Sequence, residues 1–385
     1  MQNCTPELPV AAVVIGLCVH GLAVCRALST SGIRVHALES DETIPGIHTN
    51  CARVHMVNDL TGNRLVENLL ANHSSIAKPN ERPILFPAND NMVKTINDNW
   101  ERLRDLYRIS WSEDREAIRT LLDKSHLAEY CSRAGLNYPV SMVVSAADDI
   151  KTLKNISGNF FIVKPASPLS SFKVRKVSSL KEIEELIARH ADALPFIVQP
   201  WIDGPDTNIF FGAVYYSEGK PLRSYTGQKL MSHPPALGQT TAAVSSNRQD
   251  ILELTHKFFS GFKLSGPVSL ELKMDAEGNF WVIEPTIGRS DFWVGCCVQN
   301  GVNLPAIEYL HQVGHEIPEY KQTNRRVWVD SAKDPLISIK LLKLGHLKYT
   351  AWKLPMFSYF DIYDLKPSLV SLRALVKRKV LGLFS

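Results

Sequence analysis

The chain has 385 residues, 45% hydrophobic and 21% charged, with a net charge of +4 from 43 basic and 39 acidic side chains. That is length enough for two or three cores, and too mild a charge for a nucleic-acid-binding surface. The opening "MQNCTPELPVAAVVIG" has no basic n-region, no apolar run reaches 18 residues, and seven scattered cysteines form no CxxC pair. The pattern predicts a cytoplasmic protein with reduced thiols, without a signal peptide, a transmembrane segment, a disulfide frame or a zinc site.

In chain order, Val10 to Ile15, "GLCVHGLAVCRALSTSG" and "IRVHALES" read as strand, glycine turn, helix and strand. Gly16, Gly21 and Glu39 stand where a dinucleotide fingerprint would place them, but the middle glycine is missing, so a structural doubly wound unit is the expected role. A helix follows near Asn63 to Asn72. "PILFPANDNMVKTINDNW" then predicts a strand and a helix capped by Asp90 or Asn91. Residues 1–120 thus form one parallel α/β unit. "LLDKSHLAEYCSRAGLNYPVSMVV" is a helix ended by Gly135, then a strand, with Lys124 at the helix start. "FFIVKP" puts Lys164 on a strand, and "SPLSSFKVRK" is a small, polar and basic loop. "SLKEIEELIARH" is an amphipathic helix with Ser179 and Glu182 at capping-box spacing. "PFIVQPWIDGPD" is a strand leading into a turn, and "TNIFFGAVYY" with "PLRSYTGQKL" makes a hairpin ending near Lys229. Pro234 and Pro235 open an irregular stretch to Ser246, and "QDILELTHKFFSGF" is a helix.

Next comes "VSLELKMDAEGNFWVIEPTIGR", a hairpin with a carboxylate on each strand. Ser269, Glu271 and Lys273 alternate with Leu270, Leu272 and Met274, and the second strand stops at Pro285. With a four-residue loop, Ala276 to Asn279, Glu271 faces Glu284. Opposed side chains lie about 5 Å apart and unpaired like charges there are destabilising. Either lysines neutralise them on a solvent-facing hairpin, or a divalent cation does; magnesium, taking one or two carboxylates plus phosphates, suits an all-oxygen pair. The chain ends in a tail, 316–385, predicted to be helical. Its last segment, "LVSLRALVKRKVLGLF", is a basic amphipathic helix with Arg373, Lys377, Arg378 and Lys379, suited either to docking on the body or to a membrane surface.

Lysines on strands ahead of small loops meet anions, and paired glutamates meet a cation; a magnesium-bound nucleoside triphosphate satisfies both. The order of these segments over residues 10–310 resembles the ATP-grasp superfamily. The resemblance implies an α/β and α+β chain: an N-terminal parallel α/β (pre-ATP-grasp) domain, 1–120, followed by a two-lobed ATP-grasp fold, 121–315, whose small lobe is about 140–200. It implies that Lys124 and Lys164 touch the phosphates of ATP, that Gln199 and the Ile202 backbone meet adenine, and that Asp206 meets ribose. Glu271, Glu284 and Thr286 would ligate Mg2+, Lys229 would hold phosphate, and Arg289 would stabilise the transferring group. "SYTGQKLMSHPP", "PAND" and "FSYFDIYDLKPS" are most similar to D-aspartate-ligase-like carboxylate–amine ligases. The implied reaction joins a small or polymer-linked carboxylate to an amine through an acyl phosphate, with a homodimer common in the superfamily.

Three positions depart from that pattern. Pro200 replaces the acid of the hinge, Thr286 replaces an asparagine, and "SPLSS" lacks glycine. A catalytically weak, ATP-binding regulatory protein is the alternative they suggest. For Arg289 the structural alternative is an ion pair with Asp291 or Glu284, and for Cys296 and Cys297 it is core packing.

Overall fold

The computed structural model describes residues 8–155, 158–166 and 174–382. Its first unit is a four-stranded parallel sheet in the order Arg53–Met56, Val35–Glu39, Ala12–Ile15, Ile84–Pro87. The helix Val19–Ser29 follows the first strand through Gly16, whose φ is +89°. A Cβ on Gly21 would lie 1.8 Å from the Gly16 carbonyl oxygen, so this glycine lets the helix close onto the turn. Glu39 accepts from the backbone N–H of Leu17 (2.6 Å), Ser40 (2.7 Å) and Asp41 (3.0 Å). The glycine pair and the acid therefore build the turn itself, and a dinucleotide site here would lack its ribose ligand. The helix Asp90–Asp98 is capped by Asn89, whose side chain accepts from Met92 N–H, one residue before the expected cap.

The second body is a seven-stranded sheet in the order Phe280–Ile287, Gly266–Met274, Ile209–Ser217, Lys220–His233, Gln239–Ser245, Arg326–Val329, Leu354–Phe357. Two expectations change here. The stretch after Pro235 contains a strand, Gln239–Ser245, which pairs antiparallel with Lys220–His233. From Thr240 onward it is buried on both faces and so shows no alternation to read. The tail is also not purely helical, since Arg326–Val329 and Leu354–Phe357 add two strands to the sheet. Buried residues of the first unit (Val13, Leu65, Trp111) and of the large sheet (Val214, Val268, Leu270) share one continuous core.

The third body is a four-stranded antiparallel sheet in the order Met142–Val144, Phe196–Pro200, Phe161–Pro165, Arg175–Val177, covered by the helix Leu180–Arg189. Ser179 caps that helix by accepting from Glu182 N–H at 3.3 Å, as its spacing predicts. This lobe has its own core, built from Val144, Phe161, Val163, Ile183, Phe196 and Val198 among others. The serine loop expected after Lys164 lies outside the described residues.

Candidate active site

The carboxylate hairpin forms the edge of the seven-stranded sheet, and Glu271 does stand opposite Glu284. It gets there by two irregularities that cancel. Met274 pairs with Phe280, so the loop holds five residues rather than four, and a register shift between Glu271 and Leu272 restores the opposition. The second strand runs on through Pro285 to Ile287, with Pro285 opposite Leu270. A proline fits there because this strand is the outermost one, where a missing donor breaks no ladder.

Both carboxylates meet lysines drawn from distant segments. Lys124, in the turn capped by the Asp123 side chain, forms an ion pair with Glu284. Lys229 reaches Glu271 at 3.7 Å from the second strand over. On the intervening strand the Phe211 ring lies over Gly227, where a Cβ would strike it at 2.2 Å. A register shift just past Lys229 sets that side chain's aim. Burial raises the Glu271 carboxyl above the ordinary range, opposed by Lys229 and reinforced by Asp291 and Glu284. Burial works against the Lys124 charge, but the charge and hydrogen bond of Glu284, with Asp90, together carry the net shift upward. Burial lowers Lys164, with Glu284 pulling back and Lys124 pushing further down. Lys164 arrives from the small lobe, so Glu284 is where the two lobes meet electrostatically. Thr286 lies opposite Ser269 on the same face as the glutamates.

On the hinge side, Gln199 is buried and donates from Nε2 to Ser141 Oγ at 2.7 Å. Ile202 is half-buried in the turn after the hinge strand. Asp206 Oδ2 accepts from Ser232 N–H (2.8 Å) and Ser232 Oγ (2.7 Å), while its Oδ1 is buried with no partner among the described residues. Sequence reasoning missed the group that links this side to the carboxylates. Lys273, two residues past Glu271 on the same strand face, places its ammonium 4.2 Å from the centre of the Trp201 ring. Lys176 of the small lobe lies 4.3 Å from the same ring. Burial lowers Lys273 to about 8, with Asp206 opposing the shift. The alternation Ser269, Glu271, Lys273 was the signal that could have exposed it.

Arg289 sits at the far end. Its Nε donates to Asp90 Oδ1 at 2.7 Å, and Nη1 lies 3.7 Å from Asp291. Of the two ion-pair partners expected for it, Asp291 is present at longer range, and the shorter contact comes from Asp90 in the "PAND" segment of the first unit. Arg289 borders a cavity of about 560 Å³, walled also by His20, Asp291, Asp330, Lys333 and Ser371. His20 is buried, with Nδ1 3.1 Å from Ala88 O, and burial with the nearby Arg289 lowers it to about 3, so it is a neutral imidazole there. Cys296 and Cys297 are fully buried in the core under Trp293 and Trp328.

Among the described residues no three Cys, His, Asp or Glu side chains gather as a metal cage. Both opposed carboxylates meet a lysine, one of the two ways of offsetting their repulsion; an ion such as magnesium would take one or two of them and complete its shell with water and phosphate oxygens.

No family model matches the chain. A D-alanine–D-alanine ligase of Pseudomonas putida is 26% identical over 172 residues, 42% of this chain and 53% of that protein. One of Stutzerimonas stutzeri is 26% identical over 175 residues, 42% and 54% respectively. The chain thus matches about half the length of these curated relatives. Among solved structures, N5-carboxyaminoimidazole ribonucleotide synthetase in its ADP complex superposes with a TM-score of 0.65 at 11% identity, over 86% of this chain and 85% of that one. An L-amino acid ligase from Bacillus licheniformis gives 0.60 at 16% identity, over 82% and 76%. At such identities the structural likeness is one of fold. Sequence relatives and fold neighbours point the same way, to an ATP-grasp fold.

Proposed function

We propose that the protein is an ATP-dependent carboxylate–amine ligase that forms an amide through an acyl phosphate. The observation that carries this reading is the convergence of Lys124, Lys164 and Lys229 on the opposed pair Glu271 and Glu284, beside the Arg289 cavity. The lysines act as point charges on the phosphates. Glu271 and Glu284, with the weaker hydroxyl of Thr286, would hold Mg2+, which when bound supplies charge neutralisation at the transferring phosphoryl group. Gln199, the Ile202 backbone and Asp206 would hold the nucleoside.

An oxygen of the substrate carboxylate attacks the γ-phosphorus, the bond to the β–γ bridging oxygen breaks, and ADP leaves. The amine nitrogen then attacks the acyl carbon, the acyl C–O bond to phosphate breaks, and a proton leaves the nitrogen. Most of the protein's contribution is positioning and charge stabilisation. Arg289, anchored by Asp90 and Asp291, presents a planar donor fork to the phosphoryl or tetrahedral oxyanion. The likeness of "PAND" and "FSYFDIYDLKPS" to D-aspartate-ligase-like enzymes is what supports an acceptor site taking a free or polymer-linked carboxylate and an amine.

Phosphate release from ATP and magnesium, measured against a panel of carboxylates and amines, tests the reading. Release is expected only with both an acid and an amine. Glu284→Gln should lower it at least about 100-fold, the scale of losing one preorganised electrostatic contact. ATP binding with no release for any pair would favour the catalytically weak regulatory alternative, for which Pro200 and Thr286 speak.

A further inference from the structure

The C-terminal helix Leu365–Gly382 is docked the wrong way round for a core helix. The side chains it turns toward the body are Pro367, Ser368, Ser371 and Leu375, buried or half-buried. Leu365, Leu369, Leu372 and Val376 are instead 48%, 53%, 58% and 54% exposed. At about 100° per residue these four fall within a narrow stripe on the outward face. Lys366, Arg373 and Lys377 cluster about a quarter-turn to one side of that stripe, and the helix contains no Asp or Glu. An ordinary surface helix would bury its leucines and expose its serines.

The stripe continues into neighbouring apolar surface. Leu372 shares an apolar groove of about 690 Å³ with Pro355, Met356, Phe360, Ile362 and Tyr363. Ile362 and Tyr363 are 63% and 82% exposed, and Trp352, just before the last strand, is fully exposed. Residues 331–385 carry ten Lys and Arg against three Asp, whereas the whole chain is only +4. No helix among the described residues is long and apolar enough to cross a membrane.

We infer that this face docks onto an anionic lipid surface, the leucine stripe and its aromatic neighbours entering the headgroup boundary while the flanking lysines and arginine meet lipid phosphates. Charge complementarity selects this occupant. A second copy of the chain would offer the same basic flank and no acidic partner on the helix, so an isologous pairing sets like charges together. Lipid phosphates complement that flank, and an in-plane amphipathic helix with basic residues beside its apolar stripe is the geometry such surfaces hold. The inference stands apart from the proposed reaction, because the stripe faces away from the Arg289 cavity that Ser371 helps to wall.

The test is flotation of the full chain with phosphatidylcholine vesicles, with and without phosphatidylglycerol. Binding is expected only to the phosphatidylglycerol vesicles and should weaken with salt. The triple variant Lys366→Gln, Arg373→Gln, Lys377→Gln should bind about 100-fold more weakly, each cation contributing about fivefold near an anionic surface. Leu369→Asp with Leu372→Asp should abolish binding, with an unchanged melting temperature showing that the body is intact. Absence of flotation with phosphatidylglycerol vesicles would overturn the inference. So would a concentration-dependent dimer in sedimentation velocity that Leu369→Asp with Leu372→Asp converts to monomer, since the stripe would then serve a second copy.

Discussion

Glu308 shows how far a single side chain can govern this molecule without touching the site. It is 2% exposed, and its recorded hydrogen bond is the 2.6 Å donation from Ser110 Oγ, which ties the helix Leu304–Gln312 to the first unit. One hydroxyl does not offset the loss of water, and burial raises the carboxyl from 4.5 to about 8. Between those values the folded chain keeps a proton that the unfolded chain releases. Stability therefore falls as pH rises through that window, by up to about 1.4 kcal/mol per unit at its steepest. Denaturant unfolding near pH 5 and near pH 8 should show this slope, and Glu308→Gln, neutral throughout, should flatten it. An equal slope in the variant would place the titrating group elsewhere. Nothing in "LPAIEYLHQVG" announces this role, because Glu308 reads as the polar position of an amphipathic helix. Only the partner 198 residues earlier makes it a buried acid. Lys273 escaped notice for the opposite reason. Its face was legible from the alternation around Glu271, but its neighbours Trp201 and Lys176 come from another lobe.

Elements that carry their own signals were legible, and elements defined by a partner were not. The capping-box helix at Ser179 and the βαβ opening follow from local spacing, whereas the opposed glutamates match it only because a longer loop and a register shift cancel. The strand Gln239–Ser245 has no local signal, since from Thr240 onward it is buried on both faces, between Lys220–His233 and Arg326–Val329. The segment "FSYFDIYDLKPS" is a further case: no local spacing singles out Asp364, which is 1% exposed and acts as a clasp. Arg26 Nε donates to Asp364 Oδ2 at 3.0 Å, Thr49 Oγ1 to the same oxygen at 2.7 Å, and Asn50 N–H to Oδ1 at 2.9 Å. Arg26 also donates to the carbonyls of Ser358 and Tyr359. This knot fastens the last strand and the C-terminal helix to the first unit. Removing one partner of a buried pair strands the other charge, so Asp364→Ala should cost about 3–5 kcal/mol in denaturant unfolding. A loss below about 1 kcal/mol, the range of an exposed pair, would mean that Arg26 finds water when its partner is gone.

For the whole molecule the decisive fact is that the small lobe has a separate core while the first unit and the large sheet share one. Among the described residues, Lys164 joins the lobe to Glu284 electrostatically at the site, and Trp201 joins it with Lys176 and Lys273 about its ring. Lys164 is the costlier arrangement, because burial disfavours its charge and Lys124 adds to that cost. A nucleotide phosphate placed between Lys164, Lys124 and Lys229 would remove both penalties at once, making ligand binding and lobe closure one event. ADP with magnesium at about 100 times its dissociation constant should raise stability by about 2.7 kcal/mol by mass action. The amides of residues 142–200 should then exchange more slowly with solvent, while those of the shared core change little. In Lys164→Ala the protection should disappear from the small lobe even at ADP concentrations raised to restore occupancy. If the variant lobe is protected as fully as the wild type, the Trp201 contacts rather than Lys164 close the two lobes, and Trp201→Ala should then release them.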